Sequence, residues 1–149
     1  MTDLIANHRV NDLLIDMGRS LLQYVGESWP WTGADAAGEK EVIDRLVAEQ
    51  RQSVGRLAEL LSRRGQVVNY GTYPTNYTSL HFVALDYLLD QLLAEQQELV
   101  VATDRIADIA FAQVDPEATE LLAEIRDEAA RHLRELEQLV KARKSRKRS

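Results

Sequence analysis

The sequence predicts an all-α fold: a four-helix bundle in which one long connection joins the second helix to the third. Three observations carry this. Apolar residues recur at helical spacing over four long stretches, and nothing alternates with period two over a useful length. One of those stretches, Thr78–Phe111, has a wide stripe through Leu85, Leu88, Leu92, Leu99 and Ala102. As a single helix it would be about 50 Å long and would need partners of similar length. Between the second and third stretches lie residues 66–77, twelve residues that can reach roughly 40 Å when extended. That reach nearly matches the helix length, so this segment is expected to run from one end of the bundle to the other.

Taken in order, residues 4–25 read as the first helix, with Val10, Leu13, Leu14, Met17, Leu21, Leu22 and Val25 on one face. The run from Glu27 to Gly33, with Pro30 between Trp29 and Trp31, ends the pattern. Asp35 or a neighbour is expected to cap the second helix, over 36–64. Its stripe is Ile43, Leu46, Val47, Val54, Leu57, Leu60 and Leu61, with Gln50 and Ser53 in the same seam. Gly65, after Arg63 and Arg64, suits a left-handed stop. Thr78 or Ser79 is expected to cap the third helix. The fourth opens on Asp115-Pro116-Glu117, a cap followed by proline at the first helical position. Its stripe runs through Leu121, Leu122, Ile125, Ala129, His132, Leu133, Leu136, Leu139 and Val140.

With 149 residues the chain suffices for one domain with a continuous core, placed at 1–142. The absence of cysteine excludes disulfides, thiolate metal sites and cysteine nucleophiles. The first residues show no basic region followed by an apolar run, and no stretch approaches the ~20 apolar residues of a membrane span. The expectation is a cytoplasmic chain without membrane contact. Lys141, Arg143, Lys144, Arg146, Lys147 and Arg148 hold 6 of the 18 basic residues, leaving a strongly acidic body. Residues 143–149 are therefore expected to be a disordered basic tail, able to contact an acidic partner. An acidic body repels phosphate, so nucleic acid is not the expected partner.

Four long helices with a single crossover between the second and third resemble the ferritin-like superfamily over nearly the whole chain. The resemblance implies a di-iron carboxylate centre at mid-bundle: a Glu on each of two helices and Glu-x-x-His on each of the other two. The stretches Ala48–Ser53 and Ala129–His132 stand where the family carries Glu-x-x-His. Here Gln50 and Ser53 replace Glu and His, and Ala129 replaces the Glu that would precede His132. Shifting register by one gives Glu49 with Gln52, and Glu128 with Arg131. In the first helix the mid-helix seam holds Leu14 and Met17, while Asp12 and Asp16 lie off the stripe. Glu95 and His132 alone supply metal-binding types among the six positions of that pattern.

The reading is a ferritin-like bundle without catalytic residues, metal or cofactor, with Gln50, Glu95 and His132 as remnants of a metal position. His132 is expected to hydrogen-bond to Glu95 or Gln50. The bundle would serve as a binding or structural module and as a homodimer. The alternative is a metal-binding protein, for iron oxidation, storage or an oxidase reaction, using Glu49, Glu95 and His132. His81, near the start of the third helix, and His8 add no histidine set. Tyr70, Tyr73 and Tyr77 are expected to pin the crossover onto the helices, and Trp29 and Trp31 to cover one bundle end.

Overall fold

The computed structural model describes residues 4–31 and 34–148. Among them are five α-helices: α1 (Leu4–Gly18), α2 (Leu21–Glu27), α3 (Ala34–Arg63), α4 (Leu85–Ala112) and α5 (Pro116–Arg148). A 3-10 helix, Thr75–Phe82, precedes α4, and no strand occurs among the described residues. In the bundle, α1 and α2 act as one leg. That leg packs on α3 and α4, and α5 closes the square against both of them. The all-α bundle expected from the sequence is the fold.

The predicted first helix is broken. Apolar periodicity runs through Met17, Leu21 and Leu22 without pause, yet the helix stops at Gly18 and restarts at Leu21. Ser20 supplies the new start: its backbone is extended and its hydroxyl accepts from the Gln23 N–H. The third helix also starts later than expected, at Leu85 rather than Thr78, which shortens it to 28 residues. The hydroxyls of Thr78 and Ser79 instead donate to the carbonyls of Thr75 and Asn76 inside the 3-10 turn.

The crossover lies along the bundle as the loop length suggested. Asn69 exchanges hydrogen bonds with Asn11, and Arg19 Nε donates to the carbonyls of Tyr70 and Gly71. Farther on, the Tyr73 hydroxyl donates to Glu27, and Tyr73 and Tyr77 pack on the Tyr24 ring. The strap thus tracks the α1–α2 leg from Asn11 to Glu27. Gly71 is required where it passes Ile15: its φ is +67°, and a Cβ would stand 2.7 Å from Ile15 Cγ2. Trp31 then joins this end to the start of α4, its indole N–H donating to the Val83 carbonyl. Trp29 and Trp31 meet edge to face.

Two salt-bridge clusters staple the ends. Arg64 grips Asp115 with two parallel bonds of 2.7 and 2.8 Å and also donates to Asn7, tying α3, α1 and the α4–α5 turn together. At the opposite end Arg143 Nε donates to Asp86 at 2.6 Å, and both Arg143 and Arg146 pair with the buried Glu39. This corrects the expected tail. Helix α5 continues to Arg148, and Arg143 is buried, because carboxylates on α3 and α4 receive it. The side chains of Asp35, His81, Lys147 and Arg148, with Thr32, Gly33 and Ser149 entire, lie outside the described residues, as do the roles expected of them.

Candidate functional site

The core is divided. One apolar cluster joins Leu13, Met17, Leu57, Leu61, Leu99 and Ile125 among others; a second joins Leu21, Leu46, Val47, Leu88, Leu92 and Leu136. On every leg the residues between the two clusters are polar or small: Ser20, Gln50 and Ser53, Glu95 and Gln96, Ala129 and His132. A polar layer therefore crosses the bundle at mid-height, where a cofactor of this fold would sit.

Within the layer each group has its own partner. The Ser20 hydroxyl donates to Gln50 Oε1 at 3.0 Å, and Gln23 Nε2 donates to the same oxygen at 2.9 Å and to the Val47 carbonyl. Arg51 closes this network by donating to Gln23 Oε1. Glu95 faces the helix break. Its Oε1 accepts from the Leu21 N–H at 2.9 Å, and its Oε2 accepts from the Tyr77 hydroxyl at 3.3 Å. One carboxylate thus joins α4 to the start of α2 and to the crossover. Burial raises the Glu95 carboxyl above its usual range, with Glu98 and Asp16 adding to the effect and the two hydrogen bonds opposing it. Burial and the same carboxylate likewise push the Tyr77 phenol up.

His132 belongs to a third group. Its Nε2 lies 2.9 Å from Glu49 Oε1, and an ionised carboxylate only accepts, so the proton sits on Nε2. Arg131 donates to the same oxygen, and Arg45 stands near the other while binding Glu135. The hydrogen bond from His132 is the main reason the Glu49 carboxyl is held below its usual range. Nearby, Ser53 donates to Glu128 at 2.7 Å, and Gln96 Nε2 donates to the Ala129 carbonyl.

The expected pairing of His132 with Glu95 or Gln50 is therefore corrected. These three residues share the layer but turn to different neighbours. Helix α3 packs on both α5 and the α1–α2 leg, so Glu49 faces α5 while Gln50, one position on, faces α2. Glu95 on α4 turns toward α2 as well. The level of the layer on the first leg is Ser20 rather than Leu14 or Met17, both of which are core. Sequence reasoning missed Ser20 and Gln23. A serine three residues ahead of a glutamine inside an apolar run was the available signal, and it resembles any helix interior.

A di-metal carboxylate centre needs several hard donors converging on one point. Here both Glu95 oxygens already accept, Gln50 is an amide held by two donors, and His132 is turned to Glu49. Among the described residues no group of three or more His, Asp or Glu side chains is placed to hold a metal ion. The donor set does not fit the di-metal pattern.

A four-helix bundle with one crossover strap and a polar layer at mid-height defines the class. The chain belongs to the ferritin-like domain family, whose model matches residues 7–145. No curated protein matches it.

Proposed function

We propose that this chain is a non-catalytic ferritin-like bundle that works as a binding or structural module. The observation that carries this reading is the mid-height layer. Its donors and acceptors are met in three separate hydrogen-bonded groups, around Gln50, Glu95 and Glu49, so the fold needs no ion to neutralise or fill it. A bundle whose metal position is closed by its own hydrogen bonds keeps the rigid scaffold and its outer surfaces for recognition. Anaerobic addition of Fe(II) or Mn(II) during thermal unfolding tests it. A site that binds the folded state would raise Tm as the ion exceeds its Kd, and no rise is expected.

The pairing of Glu49 with His132 favours one alternative, a metal-binding bundle for iron oxidation, storage or an oxidase reaction. It would need Glu95 to leave Leu21 and turn toward them, and a Tm that climbs with Fe(II) would support it. Contact of the basic end with an acidic partner then falls, among the described side chains, to the exposed Lys141, because Arg143 and Arg146 are engaged by Glu39 and Asp86 and Lys144 lies 3.9 Å from Asp90. A cytoplasmic location completes the proposal. Among the described residues no helix is long and apolar enough to cross a membrane.

A further inference from the structure

In this acidic chain Arg45, Arg56, Arg63, Arg64 and Arg126 each meet a carboxylate. Arg19 and Arg51 do not: among the described residues neither has an ion-pair partner. Both line one cleft of about 130 Å³, where the crossover strap passes over the break between α1 and α2 and the side of α3. Neutral groups hold them there instead. Arg19 Nε donates to the carbonyls of Tyr70 and Gly71, and its guanidinium carbon lies 5.1 Å from the centre of the Tyr73 ring. Arg51 donates to Gln23 Oε1 at 3.2 Å, and Gln23 is itself fixed by Gln50 and the Val47 carbonyl. The two cations are therefore oriented without being neutralised.

A guanidinium carries five N–H donors in a planar fork. The bonds just described engage Nε of Arg19 and one N–H of Arg51, which leaves donors on both forks for a further acceptor. At about 30 Å³ for each water, the cleft has room for roughly four waters. That space encloses a compact oxyanion and no nucleotide or acyl chain. A tetrahedral dianion can offer oxygens to both forks and matches both charges, whereas a carboxylate can satisfy one fork. Glu27 stands on the same wall and opposes an anion, but it is exposed and already accepts from the Tyr73 hydroxyl. Two arginines against this one glutamate leave the lining at +1, in a chain whose net charge is −6.

We propose that the cleft between Arg19 and Arg51 binds the phosphate dianion, free or as the phosphoryl group of a small molecule, with both guanidinium forks on its oxygens. Such a site gives the binding role proposed above, on which it rests, a ligand class. It does not depend on the state of the mid-height layer. A failed phosphate titration would leave the metal-free bundle standing, and a Tm that climbs with Fe(II) would leave this cleft standing.

Titration of the full chain with inorganic phosphate at constant ionic strength, followed in ¹H–¹⁵N spectra, tests it. Saturable shifts are expected at Arg19, Arg51 and Tyr70–Tyr73, with a Kd of about 1 mM or tighter. Arg51→Gln, which leaves the strap contacts of Arg19 in place, should weaken binding about tenfold or more. Arg51→Lys keeps the charge but not the fork and should weaken it less. Glu27→Gln removes the opposing charge and should tighten it about threefold. Acetate, which can satisfy one fork, should bind at least about fivefold more weakly than phosphate. Methyl phosphate separates the two sources of this chemistry. Equal affinity assigns the cleft to phosphoryl groups on larger molecules, and a loss of about tenfold assigns it to free phosphate. The proposal is overturned by the absence of saturable shifts up to about 10 mM phosphate. Wild-type affinity in Arg51→Gln, or acetate binding as tightly as phosphate, overturns it as well.

Discussion

Glu49 on α3 holds the buried imidazole of His132 on α5 at 2.9 Å, and it does so from the bundle surface. The two partners are unequally placed. The His132 side chain is 2% exposed, whereas the Glu49 side chain is 32% exposed and also faces Arg131 and Arg45. Removing either one therefore has different consequences.

Glu49→Ala leaves the imidazole buried without its acceptor and is expected to cost about 1–3 kcal/mol. His132→Leu leaves Glu49 with two arginines and water, and should cost less than about 1 kcal/mol. Urea unfolding of both variants checks the asymmetry; equal losses would contradict it.

Glu95 makes the opposite case. Its carboxyl is raised in the folded state, mainly by burial, so the folded chain holds that proton more tightly than the unfolded chain. Stability from this group is full below the unfolded value of 4.5 and declines as pH rises through the folded one. Glu95→Gln should flatten that decline, and its amide oxygen can still accept from Leu21. Glu95→Ala strands the Leu21 N–H and the Tyr77 hydroxyl, and should cost about 1–3 kcal/mol below the unfolded value, with the loss shrinking as pH rises through the folded one. Unfolding free energies between mildly acidic and neutral pH distinguish these outcomes.

The Arg64–Asp115 staple is an enclosed ion pair, both side chains being 10% exposed. Asp115 also caps α5, accepting from the Ala118 N–H. Asp115→Ala removes the cap and the enclosed carboxylate, leaving Arg64 only Asn7 and the exposed Glu117, for an expected loss of about 2–3 kcal/mol. The hydrogen bond from Arg64 lowers the folded Asp115 carboxyl below 3.8. Its contribution is thus present above that value and lost as pH falls through the folded one. Acid titration of the wild type against Asp115→Asn should show that loss in the wild type alone.

Val114 occupies a position built for glycine. Helix α4 ends with Asp115 N donating to the Ala110 carbonyl and Val114 N to the Phe111 carbonyl, which sets Val114 at φ +56°. Gly65 occupies the matching place after α3, where Gln66 N and Gly65 N donate to the carbonyls of Leu61 and Ser62. A β-branched residue in this conformation costs about 1–2 kcal/mol, and Val114, 85% exposed, recovers little by burial. Val114→Gly should stabilise the chain by about 0.5–1 kcal/mol after the added freedom of the unfolded glycine is counted. A lower Tm for this variant would contradict the account.

Much of this architecture was legible because it rests on local chemistry. The stripes of α3 and α5, the stop at Gly65 and the Asp115–Pro116 start all depend on residues close in sequence. What stayed hidden depends on distant ones. The break before Leu21 is invisible in an unbroken apolar pattern, because the free N–H that it creates is met by Glu95, 74 residues away. Likewise Arg143 reads as a tail charge until Asp86, 57 residues earlier, receives it. The pairing of His132 was missed by one position: Gln50 lies in the apolar seam, but Glu49 beside it is the residue that faces α5.

The central claim is that the mid-height layer is closed by its own hydrogen bonds. Elemental analysis of the chain purified from cells supplied with iron and manganese tests it most directly. The account predicts far less than one metal ion per chain for either element. Near-stoichiometric iron or manganese, lost on substituting Glu49, Glu95 or His132, would contradict it.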